Sequence, residues 1–182
     1  MKSLHTAGLA ALVLALPALA PAADAPHYFA SAGGGLYGSG TVSTVKGHER
    51  QVVYDFCPDF PTCKDGAAPL PTLVELADGS LIGVTSAGGV SIYGQGGGVI
   101  FKLTPMPDGT WEETTLMFIC LYFQQCTRFG TPSGIVFEAP NFIYGISETD
   151  DGEKGAFWRY KLPTEGNGGV MKPMKYWGYP KE

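Results

Sequence analysis

The feature that most constrains this chain is a short, strand-like segment that recurs after a glycine. Residues 98–103 read Gly-Val-Ile-Phe-Lys-Leu, and residues 155–160, which lie 57 positions later, read Gly-Ala-Phe-Trp-Arg-Tyr. Both have a glycine, three mainly apolar residues, a basic residue and another apolar residue. Residues 40–45 (Gly-Thr-Val-Ser-Thr-Val) form a weaker copy 58 positions before the first. Recurrence of one segment at a period of this size predicts a repeat architecture.

A second segment recurs in the same order along the chain. Residues 81–85 (Leu-Ile-Gly-Val-Thr) match residues 143–147 (Ile-Tyr-Gly-Ile-Ser) at an offset of 62. The unequal offsets imply loops of different length between corresponding strands. We predict repeats at about residues 28–63, 69–126 and 133–176, of which the first is truncated.

The middle repeat predicts four strands joined in sequence. Asp78-Gly79 and Asp108-Gly109 are tight-turn signals, because glycine adopts a positive φ at low cost. Pro105 ends a strand, because it cannot donate to a ladder. The predicted strands of the three repeats are 28–30, 41–45 and 51–56; 72–76, 80–85, 98–104 and 112–120; and 134–138, 142–147, 155–162 and 170–176.

Antiparallel strands joined in this way form a meander, which is the unit of a propeller blade. We therefore predict an all-β fold in which antiparallel four-stranded meanders stack as a partial β-propeller of about two and a half blades. Glycine accounts for 26 of the 182 residues, and its placement between β-branched and aromatic runs favours turns over low-complexity sequence.

The first residues have the layout of a secretory signal. Lys2 precedes an uncharged, Ala- and Leu-rich stretch, and small residues follow it at positions 20–22. We predict a signal peptide at residues 1–22, with cleavage after Ala22 or Ala23, and a single β-repeat domain at residues 23–182. The alternative, an uncleaved membrane anchor, needs a run of roughly 20 apolar residues, and this run is shorter and contains prolines.

An exported protein is secreted or periplasmic, and we expect no membrane span after cleavage. The 12 basic and 17 acidic residues give a net charge of −5 and are scattered along the sequence. A basic footprint for nucleic acid is therefore absent, and we expect no nucleic-acid partner.

The four cysteines form two pairs with the same spacing, Cys57 with Cys63 and Cys120 with Cys126, at an offset of 63. Outside the cytoplasm such pairs indicate disulfides. We favour bonds within each pair, because each pair recurs inside its own repeat. Pairing between repeats, free thiols and a metal site remain the alternatives, although structural zinc prefers closer cysteines with more ligands nearby.

The middle repeat resembles a known family. Its Asp-Gly turn at 78–79, its Gly-rich loop and the Phe-Lys-Leu-Thr-Pro segment at 101–105 look like the GloVer tandem repeat of bacterial "choice-of-anchor" exported proteins. Residues 56–69, with a cysteine pair followed by Asp-Gly-Ala-Ala-Pro, resemble a further part of that repeat. The resemblance implies propeller-like repeats and brings no established enzymatic activity. Ser43-Thr44 replaces the expected Phe-Lys pair in the first repeat, and Pro140-Asn141 replaces the Asp-Gly turn in the third.

No segment of the sequence nominates a catalytic residue or a cofactor. The glycines at 94–98 precede a predicted strand, whereas a phosphate loop needs a following helix. Asp150, Asp151 and Glu153 are weak calcium candidates, because calcium prefers clustered oxygen ligands. Their spacing does not match an EF-hand, and the plainer interpretation is a solvated turn.

Aromatic residues are the remaining indication of a binding site. Tyr93 and Trp111 lie at loop or strand edges, where they could stack on sugars, whereas Trp158 takes the place of Phe101 and is predicted to lie in the core. The leading hypothesis is an exported, non-enzymatic module that binds or scaffolds. The alternatives are a lectin-like carbohydrate-binding protein, or a hydrolase acting on extracellular polysaccharide that would need two converging carboxylates. Exposed blade edges also predict a homo-oligomer.

Overall fold

Twelve β-strands in three antiparallel sheets make up the part of the chain that the structure describes. The structure is a computed structural model, and it describes residues 26–89, 96–119, 131–138, 141–148, 154–163 and 169–177. The strands are β1 His27–Ser31, β2 Thr41–Lys46, β3 Glu49–Asp55, β4 Ala67–Pro69, β5 Val74–Glu75, β6 Leu81–Ala87, β7 Val99–Pro105, β8 Trp111–Phe118, β9 Thr131–Glu138, β10 Phe142–Glu148, β11 Gly155–Lys161 and β12 Val170–Trp177.

Each sheet is a meander of strands that follow one another in the chain. The first sheet has the order β1-β2-β3, and the third has the order β12-β11-β10-β9. The second has the order β4-β6-β7-β8, with β5 also paired to β6. None of the three closes into a barrel. The prediction of an all-β, antiparallel fold is confirmed, and no described residue lies in a helix that could cross a membrane.

The second sheet corrects the prediction of four strands in that repeat. The strand predicted at residues 72–76 is the shorter β5. The outer strand of the sheet also includes β4, which lies before the predicted bounds, and the two segments pair with opposite ends of β6. Pro69 and Pro71 lie where the strand is interrupted, and neither can donate a backbone N–H to the ladder. The sheet therefore has five strands.

The two Asp-Gly sequences of the second sheet form the predicted turns. The φ angle is +79° at Gly79 and +86° at Gly109, a region that side chains disfavour. In each turn the aspartate carboxylate accepts the backbone N–H of the residue after the glycine, at 3.0 Å from Ser80 and 2.9 Å from Thr110. These hydrogen bonds hold the turns before β6 and before β8.

The second sheet lies between the other two and is covered on both faces. One buried cluster joins Leu81, Val99 and Phe101 to Val42 of the first sheet. A second cluster joins Ile82, Val84 and Ile100 to apolar side chains of the third sheet. Since successive side chains of a strand point to opposite faces, the near-continuous apolar run of β6 and β7 is what a strand buried on both sides requires.

The same cross-strand pair lies at the centre of the second and third sheets. Gly83 is opposite Phe101 in one, and Gly145 is opposite Trp158 in the other. In both, a Cβ on the glycine would collide with the ring of its partner. Both rings are fully buried, as predicted for Trp158. The glycine thus makes room for the largest side chain of each core.

Substitution at these glycines tests this arrangement. We expect Gly145→Ala to lower the free energy of unfolding by about 1–3 kcal/mol, because the new methyl group overpacks the core against Trp158. Urea denaturation followed by tryptophan fluorescence measures the change.

Gly134→Ala is the matched control, because Gly134 lies on the neighbouring strand β9 and a Cβ there would meet no atom within 4 Å. It should change the free energy of unfolding by no more than about 0.5 kcal/mol. An equal loss of unfolding free energy in the two variants would contradict the conclusion that Gly145 is needed to make room for the Trp158 ring.

Candidate functional site

An open cleft of about 530 Å³ lies where the first sheet diverges from the second. All three strands of the first sheet and the turn between β7 and β8 contribute to its wall. Its lining residues are Pro26, Tyr28, Thr44, Lys46, Gln51, Val52, Val53, Gly109, Thr110 and Trp111. The cleft therefore depends on contacts between distant parts of the chain.

Two aromatic rings form the apolar wall of the cleft. Tyr28 and Trp111 meet edge to face, with ring centroids 5.6 Å apart and planes at 72°. Both are partly buried and pack against the cluster between the first and second sheets. That packing fixes the ring orientations, and edge-to-face geometry is a favourable arrangement for an aromatic pair.

The polar wall of the cleft presents several kinds of hydrogen-bonding group. Lys46 and Gln51 are exposed and offer an ammonium and an amide, and Thr110 offers a hydroxyl. The Thr44 hydroxyl is buried and has no hydrogen-bond partner. Rigid aromatic surface beside convergent polar groups is the usual composition of a small-molecule site.

The sequence prediction for Trp111 is thus given a setting, although not the one expected. The sequence analysis suggested only that Tyr93 or Trp111 could stack on sugars. The structure brings Trp111 together with Tyr28 and Gln51, which the sequence analysis did not nominate. No local signal marks them, because their shared face depends on the pairing of β1 and β2 and of β2 and β3.

Several predicted residues fall outside the described residues, and the structure says nothing of them. These are Tyr93, Cys120, Cys126, Asp150, Asp151, Glu153 and the N-terminal segment predicted as a signal. Among the residues that are described, no group of three or more His, Cys, Asp or Glu side chains is arranged to hold a metal ion.

The predicted Cys57–Cys63 disulfide is present. It closes a loop that Asp65 fastens to the first sheet. Both Asp65 carboxylate oxygens accept the backbone N–H of Cys57, at 3.1 and 3.0 Å. One of them also accepts the Tyr54 hydroxyl at 3.0 Å. Asp65 is therefore occupied as an anchor for this loop.

Burial around the Cys57–Cys63 loop disfavours the charged forms of three acidic groups, those of Asp65, Tyr54 and Glu113. Burial raises the pKa of Asp65, against the opposing effect of its hydrogen bonds. Burial, followed by the charge and hydrogen bond of Asp65, raises the pKa of Tyr54. Burial also raises the pKa of Glu113 from 4.5 to about 7, an effect to which the Asp65 charge adds.

These carboxylates do not line the cleft. Among the described residues that line it, none is acidic, and the Glu113 carboxylate accepts the Thr115 hydroxyl at 3.0 Å. Glycoside hydrolysis needs a pair of carboxylates on either side of the bond to be cleaved. The described part of the cleft wall therefore contains no pair of carboxylates.

The raised pKa of Glu113 predicts a pH-dependent stability. Between pH 4.5 and about 7 the folded state holds a proton that the unfolded state has released, so the free energy of unfolding falls as the pH rises through this range. After discounting for partial solvent screening, the loss is about 1–2 kcal/mol. Glu113→Gln should therefore be more stable than the wild type at pH 8. Urea denaturation at pH 5 and pH 8 measures how the free energy of unfolding changes with pH in the wild type and in Glu113→Gln.

Glu112→Gln is the control, because Glu112 is the exposed neighbour on the same strand. It should keep the wild-type pH dependence. Asp65 acts in the same direction as Glu113, so the slope of Glu113→Gln should be reduced and not abolished. A Glu113→Gln protein less stable than the wild type at pH 8 would contradict this account.

No protein-family model, no curated protein and no solved structure matches this chain.

Proposed function

We propose that this chain is an exported, non-enzymatic β-repeat module that binds carbohydrate in the cleft between its first two sheets. The observation that carries the proposal is the composition of the cleft wall, in which Tyr28 and Trp111 stand beside amide, hydroxyl and ammonium groups. Sugars present apolar C–H faces and many hydroxyls. An aromatic ring beside convergent hydrogen-bonding groups matches both.

None of the described residues of the cleft wall is acidic, which favours binding over polysaccharide hydrolysis. Asp65 and Glu113 have raised pKa values, as a catalytic acid does. Both accept hydrogen bonds from protein groups, however. The proposal of a lectin-like module therefore takes precedence over that of a hydrolase.

The export part of the proposal is supported by the Cys57–Cys63 bond, since disulfides persist in oxidising compartments. It extends the sequence-based interpretation that residues 1–22 are a cleaved signal. If the protein is secreted or periplasmic, it should be recovered outside the cytoplasm of an expressing bacterium. Mass spectrometry should then find a chain that begins at Ala23 or Asp24. Retention in the cytoplasm with Met1 intact would contradict export.

The repeat and propeller parts of the proposal are supported by the matching registers of the second and third sheets. The glycine and the large aromatic residue that recur in sequence are direct cross-strand partners in both. Their spacing also underlies the resemblance to GloVer repeats. We regard the three stacked sheets as successive blades of a partial propeller.

Substitutions in the cleft test the binding function. A glycan array, probed with and without calcium, identifies a retained class, and calorimetric titration with a soluble oligosaccharide of that class gives Kd. We expect Trp111→Ala to raise Kd at least about tenfold, as the loss of a central aromatic contact does at other interfaces. Because Trp111 also packs against the core, the exposed Gln51→Ala provides a second variant that should weaken binding without unfolding.

Tyr37→Ala is the matched control. Tyr37 is an exposed tyrosine on the loop between β1 and β2 and does not line the cleft, so its removal should leave Kd unchanged. If no glycan on the array binds, either with or without calcium, the proposal of carbohydrate binding is refuted. An equal loss of affinity in Tyr37→Ala and Gln51→Ala would refute the assignment of the binding site to the cleft.

A further inference from the structure

The outer face of the third sheet carries exposed apolar side chains. Val136, Ile146 and Phe157 are 67%, 45% and 36% exposed. Tyr144 stacks on Phe157 with ring centroids 5.8 Å apart, and Phe142 completes the outer face at the end of β10. Neither buried cluster includes any of these five side chains. A contiguous apolar patch of this kind marks an interaction surface.

In the second sheet, the positions that correspond to this outer face are covered by the third sheet. Beside its Gly83–Phe101 pair lie the pairs Val84–Ile100 and Ile82–Lys102. Ile82, Val84 and Ile100 form the face that receives the third sheet.

The third sheet repeats this register. Beside Gly145–Trp158 lie the pairs Ile146–Phe157 and Tyr144–Arg159. The outer face thus occupies the same register as the surface on which the second sheet binds its neighbour. It is built to receive a further β-sheet.

The opposite end of the stack is closed by polar groups. On the free face of the first sheet, Thr41 and Ser43 are buried beneath the Arg50 guanidinium, which donates to both hydroxyls at 3.2–3.3 Å. In stacked repeats a polar outer surface of this kind ends the array. The same face also carries Phe29, whose ring lies under the Arg50 guanidinium at 5.4 Å, and the exposed Val52. Head-to-tail stacking on this face would bury the charged Arg50 guanidinium, which disfavours it.

The charges on the third sheet are divided between its two halves. Residues opposite each other in an antiparallel pair point to the same face, so the registers assign these charges to the outer face. Strands β9 and β10 carry Glu138 and Glu148 there. Strands β11 and β12 carry bases there, namely Arg159, Lys161, Lys172 and Lys175.

A two-fold axis parallel to the strands, between β10 and β11, would place β9 over β12 of a second copy and β10 over β11. The acidic half of each sheet then faces the basic half of the other. At the centre of this arrangement Ile146 of each copy lies over Phe157 of the other, so the two faces meet as a two-fold interface requires.

We propose that the outer face of the third sheet binds the same face of a second copy of this chain and forms a two-fold dimer by sheet-on-sheet packing. This contact differs from the strand-edge pairing expected from sequence, and it does not depend on the carbohydrate-binding cleft. The dimer buries the five apolar side chains and pairs Glu138 of each copy with bases of the other.

Molar mass measured by light scattering across a concentration series tests the proposal on the exported, purified protein. The wild type should approach the mass of two chains above about 10 μM. Ile146→Glu and Phe157→Lys place charges at the centre of the interface, so each should raise the dimer dissociation constant at least about tenfold. Circular dichroism and thermal unfolding confirm that each variant is folded.

Leu36→Glu is the matched control, because Leu36 is 78% exposed on the loop between β1 and β2 and lies away from the third sheet. It should dimerise like the wild type. A charge exchange tests the orientation: Lys172→Glu alone should weaken the dimer, and the double variant Glu138→Lys with Lys172→Glu should recover it.

Four results would overturn the proposal. A wild type that stays monomeric through the series would exclude the dimer. Dimerisation that survives Ile146→Glu would assign the contact to a strand edge or to another surface. Oligomers larger than a dimer, or no recovery in the charge exchange, would exclude the two-fold arrangement.

Discussion

The contact on which this architecture depends is that of a large aromatic ring with a glycine on the neighbouring strand. Phe101 and Trp158 lie against Gly83 and Gly145 and fill the space between successive sheets. A single sheet of three to five strands leaves its apolar face in contact with water unless another element covers it. Stacking buries it on a neighbour, and the ring supplies much of the buried area. The glycine is needed because interiors are packed too densely to hold both a Cβ and the ring.

Stacking also explains where binding surfaces arise. The second sheet is covered on both sides and offers no free face. The cleft forms where the first sheet diverges from it, so that Trp111 of one sheet stands beside Tyr28 of the other. The third sheet keeps a free apolar face. The proposed carbohydrate site and the proposed dimer contact therefore lie in different places, and both follow from how far each sheet is covered.

The end sheets differ in one chemical respect. The first sheet has Thr41 and Ser43 where the second has Val99 and Phe101, and Arg50 covers their hydroxyls. The change from Phe to Ser at the position matched to Phe101 places a hydroxyl where the second sheet has an aromatic ring. The third sheet has Ile146 and Phe157 on its outer face. A departure from the predicted repeat pattern therefore carries structural information.

Local signals in the sequence determined the β-strands, the Asp-Gly turns, the buried position of Trp158 and the Cys57–Cys63 bond. The alternation of apolar and polar residues, the turn residues and the cysteine spacing each act over a few residues. They can therefore be recognised before the fold is known. The tertiary structure alone decided which strand faces share a surface. Tyr28, Gln51 and Trp111 meet only because two sheets pack at a particular register, and Asp65 and Glu113 influence each other only through that packing. The division of the outer strand into β4 and β5 also depended on pairing with β6. Long-range pairing of this kind is set by the whole core, and no single segment encodes it.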